Sequence, residues 1–173
     1  IDYEGATQGG DPLTTDTKYS GLKGEVKLAM RTGILDIVGA AGIEKWSRDI
    51  KSAITDSGQQ GIGYKETYTQ PYVKLGVGLL HQAGNGKGRF EVGYKRPFEV
   101  KEEVSIFDES LEPKGKNSVY VQYRYQSNRR WGVTVYSEKT HFEESDIVKV
   151  QGGAVRQPES KSVALGAQLQ YAF

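Results

Sequence analysis

The chain has no cysteine, which excludes disulfides, thiol catalysis and cysteine-ligated metal sites. It has no run of about 18 apolar residues, so a transmembrane helix is not expected. No charged stretch followed by an apolar one opens the sequence, and Ile1 reads either as a mature N-terminus or as the edge of a fragment. An excess of one charge is missing too. The 23 basic and 22 acidic side chains leave a formal +1, too weak a field to draw the chain to nucleic acid, and no such partner is expected. Histidine is reduced to His81 and His141, and proline to 5 residues.

What is abundant points to strands. The 22 glycines and 11 tyrosines in 173 residues favour many short strands and tight turns over helices. At this length the chain is expected to form one domain, residues 1–173. The last twelve residues, SVALGAQLQYAF, show the pattern most clearly. Val163, Leu165, Ala167, Leu169, Tyr171 and Phe173 share one parity, while Ser162, Ala164, Gly166, Gln168, Gln170 and Ala172 share the other. Successive side chains of a strand point to opposite sides of its sheet, so this segment has one apolar and one small or polar face.

The same alternation recurs at 19–31, 34–48, 66–80, 88–101, 118–126 and from Trp131 to Tyr136. Pro97 interrupts the fourth of these, which predicts either a bulge or the end of regular pairing, with Phe98 and Val100 shifted in register. IDYEGATQ at the start supplies a short eighth strand. Connections near 31–33, 81–88 and 127–130 are short, whereas those near 9–18, 50–65, 105–117 and 139–160 are long. Strict alternation of long and short connections predicts an up-and-down antiparallel barrel with all short turns at one end. The glycines of AGNGKG belong to such a turn, since no helix follows to make a phosphate loop.

Two barrels fit this alternation. In a soluble barrel of the lipocalin kind the apolar parity faces inward; in a membrane barrel it faces lipid. Segregated connections favour the membrane form, as do aromatics gathered toward strand ends, where Tyr123, Tyr125, Trp131, Tyr171 and Phe173 match an interfacial girdle. A mean hydropathy of −0.58 is compatible with it, because only alternate strand residues would meet lipid.

The terminal strand, with Phe173 last and Val163, Leu165, Leu169 and Tyr171 at alternate positions before it, resembles the C-terminal assembly signal of bacterial outer-membrane β-barrel proteins. With the strand number, the whole pattern resembles the small eight-stranded barrels of the OmpA and OmpX type. The resemblance implies an all-β transmembrane barrel in the Gram-negative outer membrane, with short periplasmic turns and long extracellular loops. It also implies insertion by the barrel-assembly machinery and contact with outer-membrane lipid and lipopolysaccharide.

On that reading Lys23, Glu25, Lys27, Asp36, Glu44, Lys74, Arg89, Glu91, Lys95 and Arg124 point into the lumen. A barrel of about eight strands has an interior just wide enough for side chains to fill. The opposed charges are therefore expected to pair into a closed network. The expected function is a non-enzymatic structural, adhesion or partner-binding role carried by loops 50–65, 105–117 and 139–160, with a protein partner as one class of ligand. A narrow channel for ions or small solutes is the alternative.

A lipid A-modifying hydrolase is the second alternative, from His141 near Ser137, Ser145, Glu143 and Glu144. With no oxyanion donor identifiable, no catalytic residue is assigned. The acidic runs Phe107–Ser110 and Phe142–Asp146 offer carboxylates of the kind that bind a divalent cation bridging lipopolysaccharide phosphates. A solvated charged loop is the commoner explanation of such runs, and no metal or cofactor is expected.

Overall fold

The computed structural model describes residues 2–6, 12–150 and 153–171; these contain strands and turns and no helix. The strands are β1 (Asp2–Ala6), β2 (Pro12–Thr32), β3 (Leu35–Ile50), β4 (Ala53–Ile54), β5 (Gln60–Gly61), β6 (Tyr64–Ala83), β7 (Gly86–Pro97) and β8 (Lys101–Val104). They continue as β9 (Ser110–Leu111), β10 (Lys114–Gly115), β11 (Ser118–Ser127), β12 (Trp131–Glu143), β13 (Val148–Val150), β14 (Gly153–Val155) and β15 (Ser160–Tyr171).

Seven long strands form one antiparallel meander in the order β2, β3, β6, β7, β11, β12, β15. Three tight links lie at one end, after Thr32, Ala83 and Ser127. Gly33 and Gly84 have positive φ there, a conformation that costs glycine little. The other end carries the long connections and their small hairpins, β4–β5 and β13–β14.

The sheet curls strongly. Lys23 on β2 reaches Glu138 on β12, five strands away along the sheet, at 3.3 Å. The concave face is consequently crowded, and glycines make room on it: a Cβ at Gly93 would lie 2.8 Å from the Tyr120 ring, and one at Gly42 2.5 Å from the Tyr72 hydroxyl.

Polarity is inverted relative to a water-soluble sheet. The convex face exposes Leu22 (84%), Leu75 (67%) and Leu169 (81%), whereas the concave face buries Lys95 (1%) and Glu91 (0%). On β2 the exposed apolar band runs from Leu22 to Met30. Tyr125, Trp131 and Tyr171 rim it at the tight-turn end, with Tyr125 and Trp131 edge to face at 5.8 Å.

The predicted shift at Pro97 is present. Tyr72 faces Pro97, but Thr69 faces Lys101, so three residues on one strand oppose two on the other. Glu99 takes up the extra residue with φ 50°. The bulge reverses parity: odd positions face the concave side in β7, while Glu102 and Val104 are the buried pair in β8.

Two expectations change. The stretch read as a loop at 9–18 includes the start of β2, which pairs with β1. β1 itself does not stand between β2 and β15. It lies at the loop end, Asp2 opposite Asp16, because its register follows the hairpin it forms with β2. β2 and β15 are left as free edges with no mutual pairing among the described residues. Phe173 lies outside the described residues.

Candidate functional site

The concave face gathers charges that are far apart in sequence. Glu138 is central: one carboxylate oxygen is 2.8 Å from Lys74 Nζ and 3.3 Å from Lys23 Nζ, and the other accepts from Lys95. Glu44 joins the same cluster, 2.7 Å from both Lys23 and Lys95. Glu25 lies 3.3 Å from Lys74 and accepts from the Tyr72 hydroxyl at 2.8 Å. The Tyr72 ring lies beneath Lys95 at 4.4 Å, adding a cation–π contact to the ion pairs.

A second group lies nearer the tight turns. Lys27 is 3.0 Å from Glu91, which also accepts from Tyr120 at 2.9 Å. Arg89 Nη2 sits 3.3 Å from both Asp36 and Glu91 without hydrogen-bond alignment, so charge rather than a directed bond holds it. Arg31 approaches Asp36 from the rim at 3.2 Å.

Of the ten charges expected in a lumen, nine form ion pairs on the concave face of the sheet: Lys23, Glu25, Lys27, Asp36, Glu44, Lys74, Arg89, Glu91 and Lys95. Arg124 does not join them. It lines the same polar cavity, of about 220 Å³, but bonds Gln126 at 3.2 Å. Its ladder neighbour Arg89 takes the carboxylates of that level, Asp36 and Glu91. Glu138 lies outside the expected set, which ends the alternation of β12 at Tyr136; Gly132, Thr134, Tyr136 and Glu138 share one parity, which extends the strand to it.

Beyond the apolar band, toward the long connections, lies a different cluster. Trp46, Tyr68 and Phe142 stack, with centroids 4.1 and 6.2 Å apart, and Val100 packs against them. Beside the stack Arg48 Nη2 pairs with Glu66 at 2.6 Å. The Tyr68 hydroxyl lies 3.1 Å from Glu66 and 2.9 Å from Glu102. One hydroxyl proton serves two carboxylates, so both contacts are satisfied only when Glu102 is itself protonated. Glu102 is fully buried and its Oε2 has no hydrogen-bond partner. Burial, reinforced by the Glu66 charge and opposed by Tyr68 and Arg48, pushes its carboxyl up to about 7.

The hydrolase residues do not converge. His141 Nε2 pairs with Glu159 at 2.9 Å, while Ser145 Oγ donates to the Asp146 carbonyl and accepts from the Gln157 amide, each at 2.9 Å. The second acidic run is divided among separate cations: Glu143 with Lys116, Glu144 with Arg156, Asp146 with Lys114. Among the described residues no group of three His, Asp or Glu is placed to hold a metal. Val163, Leu165, Leu169 and Tyr171 of the terminal strand lie exposed on the convex face, with β15 paired to β12. No protein-family model, curated protein or solved structure matches this chain.

Two outcomes follow from these clusters. Glu138→Gln removes one of the two carboxylate partners of each of Lys23, Lys74 and Lys95, leaving Glu44 and Glu25 to hold them, and is expected to cost about 1–3 kcal/mol in urea unfolding. Adding Lys74→Met should restore part of that loss, and strictly additive effects in the double-mutant cycle would refute the coupling.

Because Glu102 has a raised carboxyl, its contribution to docking β8 is full below its unfolded value near 4.5 and is lost as pH rises to about 7. The loss amounts to at most roughly 3 kcal/mol. Hydrogen exchange at Lys101–Val104, corrected for intrinsic rates, should show it in the wild type and a flat profile in Glu102→Gln.

Proposed function

We propose that this chain is an integral outer-membrane β-barrel protein of the small OmpA/OmpX-like kind, with a non-enzymatic role carried by its loop-end surface. The observation that carries the proposal is the inverted polarity of the sheet. A contiguous band of exposed Leu, Val and Ile on the convex face has no use in water, where large apolar patches mark interfaces. On β2 the band covers nine residues, Leu22 to Met30, close to the about 9–11 that a tilted strand uses to cross a bilayer. Buried charges on the other face are what a narrow polar lumen requires.

On this proposal the aromatic rim at the tight-turn end lies at the periplasmic interface, and the barrel-assembly machinery inserts the chain. β2, β3 and β6 continue past the band toward the long connections, where the Trp46–Tyr68–Phe142 stack consolidates their ends. This firm outer platform suits adhesion or partner binding at the lipopolysaccharide surface. The ion-paired interior supports a structural plug.

The cavity lined by Lys23, Lys27, Arg124 and Gln168 favours one second reading, a narrow solute path.

Membrane insertion predicts heat-modifiable gel migration and retention in detergent-extracted membranes. Leu75→Arg should destabilise the refolded protein by about 2–4 kcal/mol, the cost of a cation facing mid-bilayer lipid; a protein that stays in the aqueous fraction and tolerates this change would overturn the assignment. In planar bilayers the plugged lumen predicts no stable conductance steps. Steps that vanish in Lys74→Ala or Arg124→Ala would establish the path instead.

A further inference from the structure

The two free edges of the curled sheet run in the same direction. Six successive antiparallel pairings separate β2 from β15, so both strands descend toward the tight-turn end. They cannot pair antiparallel with each other. The gap between them accepts one strand running the opposite way, antiparallel to both neighbours.

β1 already has that direction. It ascends along the free edge of β2, with Asp2 opposite Asp16 and Ala6 opposite Pro12, but only beyond the apolar band. From Lys18 to Thr32 that edge of β2 has no partner among the described residues. Across the gap, Gln170 on β15 keeps a buried Oε1 without a hydrogen-bond partner, and Lys23, Glu25 and Lys27 share the open polar cavity with Gln168 and Gln170.

We propose that the gap is filled by a segment of the same protein lying N-terminal to β1, which continues the β1 register down β2 and closes an eight-stranded barrel. This rests on the membrane-barrel reading, because unpaired backbone groups on an open edge are untenable in hydrocarbon. The register fixes the pattern. Since Asp2 faces Asp16, the residues 6, 10 and 12 positions upstream of Asp2 face Leu22, Val26 and Leu28 and are apolar. Those 7, 9 and 11 positions upstream face Lys23, Glu25 and Lys27 and are polar or small. A second copy of the chain is disfavoured, because continuity with β1 supplies the strand without an intermolecular crossing.

The test uses the full-length mature protein, purified in detergent. Its N-terminus is read by mass spectrometry, and single cysteines are placed at Val26 and ten positions upstream of Asp2; the chain has no cysteine to interfere. The expected result is an upstream stretch with the stated alternation and an intramolecular disulfide between the two positions. A mature chain beginning at Ile1 would overturn the proposal. So would direct coupling of Val26→Cys to Leu165→Cys, or a disulfide-linked dimer. Heat-modifiable migration of the same samples separates the two readings. If it persists without the upstream cross-link, only the closing strand is lost; if it is absent while the cross-link forms, only the membrane assignment is lost.

Discussion

Glu138 receives lysines from three strands, Lys23 from β2, Lys74 from β6 and Lys95 from β7. A flat sheet could not bring these together, so the cluster and the curvature require each other. Burying charge is costly unless pairing is nearly complete, and pairing here is achieved only at this curvature. Room for the rings that underlie the lysines comes from glycine, with Gly42 beneath Tyr72 and Gly76 and Gly93 beneath Tyr120. Once the concave face is polar, the period of two leaves the convex face to the leucines and valines.

Much of this was legible in the sequence because alternation is local. The parity of each segment assigned ten charges to one face without knowledge of their partners, and nine of them are ion-paired there. The pairs themselves were not legible, since Lys23 and Glu138 are brought together by strand order and curl. Glu138 shares the parity of Thr134 and Tyr136, but its convex-side neighbours Ser137 and Lys139 are polar, so the apolar half of the alternation fades there. The position of β1 depended on a register that short alternating segments do not specify. Pro97 was different: a residue without an N–H disrupts a ladder wherever it falls, so a break there could be foreseen, though not that pairing resumes after it as a bulge.

The two clusters obey different rules. In the middle of the sheet, carboxylates and ammonium groups nearly balance and aromatic rings serve as platforms. At the loop end Glu102 has no cation of its own. Its partners are a tyrosine, a second carboxylate and an apolar wall, which together hold a short strand added after a bulge. One arrangement stabilises a shape, while the other makes the docking of a segment sensitive to proton concentration.

The separation of ion-pair partners along the chain has a kinetic meaning. Every backbone ladder of the meander joins consecutive long strands, and three of its six links are tight turns, so hairpins can form at little cost in chain entropy. The Lys23–Glu138 pair spans 115 residues and the Lys27–Glu91 and Lys74–Glu138 pairs 64. Loop closure over such distances falls on these contacts. Until they are buried, the same charges are open to screening by salt. Ionic strength therefore acts on the curling of the sheet and scarcely on its zippering.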